Sequence, residues 1–193
     1  LVLPESGSAN YICIIREGKL MRTILVAALT SILFVATAHA APVFMSGEWA
    51  AEACKAWNAD KGLTEELKKS GWVENNKGRG HKVMQIYRME CKDSPRVEMH
   101  IADKDGKATC VYGGWAKTKE ADLDKSVDYV MYAKDKNWKR MGDGSDGPMK
   151  AMMFGRLKFQ GPKMEAMSNM GPFAGFLELT GKVDSDRSSC PKK

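Results

Sequence analysis

Histidine is scarce in this chain: 193 residues carry 3, and beyond residue 40 only His81 and His100 remain. General-base chemistry therefore has few candidates, and no Ser-His-Asp order, paired-carboxylate setting or nucleotide loop stands out. The 5 cysteines include no C-x-x-C pair, which argues against a thioredoxin-like redox site and against attached c-type haem. A zinc site would have to gather widely scattered cysteines around two histidines, so neither metal nor cofactor is expected. "DKDGK" at 103–107 begins like a calcium loop but lacks the later ligands and the closing glutamate. "GWVENNKGRG" at 71–80 reads as turn chemistry rather than a phosphate cradle, because no strand precedes it and its glycines are too few. The net charge of +6 favours anionic surfaces, phospholipid head groups among them. It comes without the dense Lys/Arg clustering of a nucleic-acid binder, so no nucleic-acid partner is expected.

Long apolar runs are also lacking, with one exception. Residues 21–40, "MRTILVAALTSILFVATAHA", have a basic start at Arg22, an apolar stretch from Ile24 to Ala36 and a small-x-small ending at Ala38-His39-Ala40. That is the pattern of a signal peptide cleaved before Ala41, and it is shorter than the roughly 20 residues of a membrane span. The expectation is an exported protein, with a bacterial periplasm the best fit to the compact leader. Residues 1–20 read as an upstream extension of the reading frame, 41–183 as one domain and 184–193 as a polar tail. Four cysteines remain beyond the leader, Cys54, Cys91, Cys110 and Cys190. In an oxidising compartment they suggest one or two disulfides.

What is present is a clear succession of periods. Ser46 can cap a helix with Glu48 in its first turn and Trp49, Ala50, Ala53, Cys54 and Trp57 on one face. "LTEELKKSG" offers a second short helix capped by Thr64. Residues 83–91 open a strand meander; in "RVEMHIA", Val97, Met99 and Ile101 alternate with Arg96, Glu98 and His100, a half-buried strand showing polar groups to water. "DKDG" makes the hairpin turn and "KATCVYGG" returns. With 97–101 in the middle, Cys91 and Cys110 would lie two strands apart, roughly 9–10 Å, beyond the reach of about 7 Å that a disulfide allows. Cys54 is then the better partner for one of them, and Cys190 either tethers the terminus or stays free.

Residues 115–126 read as a charged connector without useful chemistry. "VDYVMYA" is a fourth strand, and Asp135 can cap a helix carrying Trp138 and Met141 inward. Met149, Met152 and Met153 fall on one helical face, and "RLKFQ" alternates as a fifth strand. Gly161-Pro162 opens a last helical region with Met164 and Met167 on one face, continued or restarted by Phe173, Phe176, Leu177 and Leu179. The order predicts an α+β fold, one sheet with helices on one face.

The stretch "MMFGRLKFQGPKMEAM", 152–167, resembles the C-terminal signature of the sterol carrier protein 2 (SCP-2) domain family: an apolar helix end, a Gly-x-Leu-x-apolar-x-Gly strand and a methionine-bearing helix. Gly155, Leu157, Phe159, Gly161, Ala166 and Met167 fall on that pattern, and "DYVMYAKDKNWKRMGDG" is similar to the family's strand, acidic helix cap and buried aromatic. The leader, the cysteines and Met152-Met153 in place of paired aromatics depart from it. The resemblance implies a five-stranded, mostly antiparallel sheet covered by helices around an apolar tunnel. It also implies no catalytic residues and a fatty acid, acyl chain, phospholipid or sterol-like ligand. On this reading the lining residues are Met152, Met153, Phe154, Leu157, Phe159, Met164, Met167, Phe173 and Phe176. Arg156, Lys158 and Lys163 could meet an anionic membrane surface during transfer. The competing readings are Cu(I) handling by thioether sulfur and an accessory interaction subunit.

Overall fold

The computed structural model describes residues 40–193; the upstream extension and all but the last residue of the leader lie outside them. Ser46 does cap the first helix, α1 (Gly47–Ala59), its Oγ accepting from the Trp49 N–H at 3.2 Å. The face bearing Trp49, Ala50, Ala53, Cys54 and Trp57 is buried. A π-helical turn, Gly62–Glu66, runs directly into α2 (Leu67–Lys69). Thr64 sits inside that turn rather than at its cap, because Asp60 takes the capping role: its Oδ1 accepts from Leu63 N–H at 3.2 Å, and the Thr64 hydroxyl donates to its carbonyl.

Five strands form one sheet: β1 (Lys82–Arg88), β2 (Val97–Lys104), β3 (Lys107–Trp115), β4 (Tyr129–Ala133) and β5 (Lys158–Gln160), in the order β3-β2-β1-β4-β5. Only β1 and β4 pair in parallel. At the β2–β3 turn Asp105 and Gly106 both have positive φ, 51° and 72°, as a two-residue hairpin turn matched to strand twist requires. The helices α3 (Asp135–Gly142), α4 (Pro148–Met153), α5 (Lys163–Ser168) and α6 (Met170–Lys182) follow β4. Asp135 is the first residue of α3 and not its cap; the Glu90 carboxylate accepts from its N–H instead, at 3.1 Å.

The helical layer and the sheet share one apolar core, with Phe44, Trp49, Trp57, Ile86, Met99, Met131 and Trp138 fully buried. Each such side chain contributes about 1.5–3 kcal/mol by leaving water. Helix α1 lies so close to β3 that a Cβ on Gly113 would stand 2.2 Å from the Ala50 carbonyl oxygen. The Cys54–Cys110 disulfide, Cα atoms 5.4 Å apart, fastens the same contact. The second disulfide, Cys91–Cys190, ties the C-terminal tail to the end of β1. Buried Arg88 holds that tail as well, donating to the Arg187 and Ser189 carbonyls.

The opposite face of the sheet departs from the alternation reading. Glu98 is buried and His100 half-buried instead of open to water. The cause is the segment 116–128, which crosses that face rather than looping away from it. The Lys117 and Thr118 N–H groups donate to the Glu98 carboxylate at 3.0 and 3.3 Å, and Leu123 packs with Val83 and Val130. His100 Nε2 lies 2.8 Å from Glu98 Oε1, and Gln85 Nε2 donates to Oε2 at 3.2 Å. Burial alone would raise the Glu98 carboxyl; the bonds from His100, Lys117, Gln85 and Thr118 outweigh it and hold the group down at about 2.

Candidate ligand site

The chain reverses twice around β5, at Gly155 (φ 65°) and Gly161 (φ 141°). A side chain at Gly161 would be strained by that φ and would meet the Asp128 carbonyl at 2.7 Å. These two turns bring α4, β5 and α5 into a surface groove of about 410 Å³ lined by Met149, Met152, Met153, Leu157, Phe159 and Met167, with Lys158 and Lys163 at its margin. Beneath it lies a second space of only about 30 Å³, walled by Trp57, Leu67, Trp72, Met84, Tyr129, Met131, Ala166, Phe173 and Phe176.

The nine residues singled out from sequence thus separate. Met152, Met153, Leu157, Phe159 and Met167 border the groove, and Phe173 and Phe176 border the inner cavity. Phe154 and Met164 line neither; they are 61% and 75% exposed, and Met153 is 70% exposed. The face formed by Met149, Met152 and Met153 is open to the groove, since Pro148 and Ala151 take the inward positions of this one-and-a-half-turn helix. Phe159 connects the two walls: it borders the groove, and its ring stands 5.6 Å from Tyr129 and 5.8 Å from Phe173, both in the cavity wall. Helix α5 does the same, Met167 facing out and Ala166 in. In place of the continuous tunnel that the resemblance implies, the apolar space here is a surface groove and a small inner cavity with no lining residue in common.

A charged group sits against the cavity wall. Lys82 is fully buried, its Nζ 4.6 Å from the Trp72 ring centre, 5.4 Å from that of Tyr129 and 2.5 Å from Glu165 Oε1 on α5. The Tyr129 hydroxyl also donates to Glu165, accepts from Trp72 Nε1 at 2.8 Å, and Asn75 Nδ2 donates to the other Glu165 oxygen. Burial pushes the Lys82 ammonium down, opposed by Glu165. Burial and then the Glu165 carboxylate push the Tyr129 phenol up. Sequence reasoning missed Lys82, although a signal existed: it shares strand parity with Met84 and Ile86 and so had to point into the core. Nothing in the sequence marks Glu165 as its partner.

Of the three cations read as membrane-facing, Arg156 is committed elsewhere. Its guanidinium donates to buried Asp146 at 2.5 Å, beside Arg140 and Lys150. Lys158 and Lys163 make no ion pair among the described residues. Among those residues no three His, Cys, Asp or Glu side chains gather as a metal site, and no helix is long and apolar enough to cross a membrane.

Residues 64–174 match the sequence profile of the SCP-2 sterol transfer family. The chain belongs to that family. The matched range contains the groove, the Lys82–Glu165 pair and most of the cavity wall; Trp57 lies before it and Phe176 just beyond it. Among solved structures, a crystal structure of sterol carrier protein 2 is 15% identical at a TM-score of 0.46, covering 72% of this chain and 98% of its own. The apo form of sterol carrier protein 2 from Yarrowia lipolytica is 13% identical at 0.36, covering 67% and 88%. The sterol carrier protein domain 2 of Helicoverpa armigera is 18% identical at 0.37, covering 71% and 96%. No curated protein matches the chain. The sheet with its helical cover is the α+β, mostly antiparallel arrangement that the SCP-2 resemblance implied.

Proposed function

We propose that this SCP-2 family member is an exported, non-catalytic lipid-binding and lipid-transfer protein that holds an acyl chain or similarly apolar ligand between β4, β5 and the helices α4–α6. The observation that carries this reading is an exposed methionine-lined groove next to an apolar aromatic cavity, linked by Phe159 of the groove packing on Tyr129 and Phe173 of the cavity and by α5, which lends Met167 to one and Ala166 to the other. Ligand sites commonly enclose roughly 300–1,000 Å³; the groove is of that size, and on this reading Phe159 and α5 shift to admit the ligand to the cavity. Each methylene taken from water then contributes about 0.8 kcal/mol, so affinity needs little polar recognition. Unbranched methionine side chains repack around ligands of different shape. Lys158 and Lys163 at the groove margin suit docking on an anionic bilayer, where the exposed Met153, Phe154 and Met164 meet the acyl boundary. Two disulfides fit the oxidising compartment to which the leader would direct the chain.

The test is native mass spectrometry with lipid extraction on gently purified protein, together with titration of a fluorescent fatty acid. Co-purifying lipid and saturable binding are expected; absence of both refutes the proposal. The sulfurs of Met149, Met152, Met153 and Met167 around one groove favour a second reading, Cu(I) binding. Stoichiometric Cu(I) uptake without lipid would replace the first reading with the second.

A further inference from the structure

We infer that Lys82, Tyr129 and Asn75 form a carboxylate-recognition site beside the apolar cavity, and that Glu165 of α5 occupies it as an internal stand-in which the carboxylate of a bound fatty acid displaces. The inference rests on the lipid-carrier reading above and adds the chemistry of the ligand's polar end.

Three separate elements converge on one planar carboxylate. Lys82 comes from the start of β1, Tyr129 from β4 and Asn75 from the 71–80 loop; the first two address one oxygen of Glu165 and the third the other. Lys82 is fully buried, and Glu165 is its ion-pair partner among the described residues. A buried ammonium stripped of its counter-charge is strongly disfavoured, so Glu165 can leave only when another anion arrives. The rings beneath the ammonium, Trp72 and Tyr129, are themselves part of the cavity wall. An acyl chain lying in that cavity therefore brings its carboxylate within reach of the same donors. The exchange conserves charge: one carboxylate leaves Lys82, one takes its place, and no proton moves. The carboxylate that leaves is carried by α5, a six-residue helix whose neighbour Ala166 closes the cavity. Its release thus frees the helix that lends Ala166 to the cavity and Met167 to the groove. A neutral ester offers Lys82 nothing in exchange and leaves Glu165 in position.

The experiment compares oleate with methyl oleate by displacement of a neutral fluorescent acyl probe from the full chain. Oleate should bind at least about ten-fold more tightly in the wild type. Lys82→Met should bring the two within about two-fold, and Glu165→Gln should tighten oleate several-fold by removing the charged competitor. Equal binding of acid and ester by the wild type overturns the recognition site while leaving lipid carriage standing. Binding of neither overturns lipid carriage itself. Should Lys82→Met fail to fold by circular dichroism, oleate labelled with carbon-13 at the carboxyl decides the matter in the wild type. Its bound resonance should titrate well below that of oleate in neutral vesicles, and an unshifted titration overturns the inference.

Discussion

Acid should unfold this protein in part by protonating one residue, Glu98, and the size of the effect follows from its surroundings. The carboxylate has no exposed surface, and it accepts from the Lys117 and Thr118 N–H groups and from Gln85, with His100 Nε2 at 2.8 Å. These bonds favour the charged form, so the group is depressed from 4.5 to about 2 in the folded chain. For a depressed carboxyl the stabilisation is fully present above the unfolded value and is lost as pH falls through the folded one; the window here runs from about 4.5 down to about 2. At about 1.36 kcal/mol per unit, the loss across that window is on the order of 3 kcal/mol. Glu98→Gln removes the titration but turns an amide donor toward backbone N–H groups, so it should already cost about 1–3 kcal/mol at neutral pH. Urea unfolding of both proteins between pH 7 and pH 2 separates the terms, because every other carboxylate is common to the pair. The stability gap between wild type and variant should shrink or reverse on acidification. Two curves that fall in parallel would refute the assignment of this window to Glu98.

Removing the Cys54–Cys110 disulfide by a double Ala substitution opens a loop of 56 residues, and chain-entropy reasoning gives a loss of about 4 kcal/mol, measured as a shift of the urea midpoint under oxidising conditions. At the groove margin, Lys158→Gln with Lys163→Gln should weaken binding to vesicles rich in anionic lipid by roughly 30-fold at low salt, at about 1 kcal/mol per charge. Arg156→Gln should instead lower stability, because Arg156 already serves buried Asp146. Vesicle sedimentation that shows no loss for the double lysine variant removes the docking surface.

The sequence carried most of the sheet because its signal was local. The parity of Val97, Met99 and Ile101, the Asp105-Gly106 turn and the Ser46 cap each involve neighbours a few residues apart. It misjudged Glu98 and His100 because the strand pattern cannot tell whether a later segment returns to cover the second face, and 116–128 does so with backbone N–H groups that any sequence possesses. Thr64 and Asp135 failed as caps for two different reasons. Asp60, three residues before Leu63, takes the first start as a local cap four residues ahead of Thr64, whereas Glu90 reaches the Asp135 N–H from 45 residues away. The cysteine argument reached as far as geometry allowed: separating Cys91 from Cys110 across β2 pointed Cys54 to one of the two and left Cys190 to be placed by the fold.

The methionine-rich stretch was legible as unusual, but its division between surface and interior was not. Apolar side chains at helical spacing announce a buried face, whereas α4 has too few turns to bury one and gives its inward positions to Pro148 and Ala151. The thioethers left outside are costly in water unless something covers them part of the time, and that cost is what makes the groove informative. A closed core would have taken those residues in, and a purely solvated surface would not expose Met153, Phe154 and Met164 in the one stretch that also carries Lys158 and Lys163. The same logic applies to the interior. On the proposal above, a buried Lys82 held by the Glu165 carboxylate of a six-residue helix couples α5 to whatever anion Lys82 meets. Strengthening that pair should then weaken ligand entry to the cavity, and competing for it should promote entry.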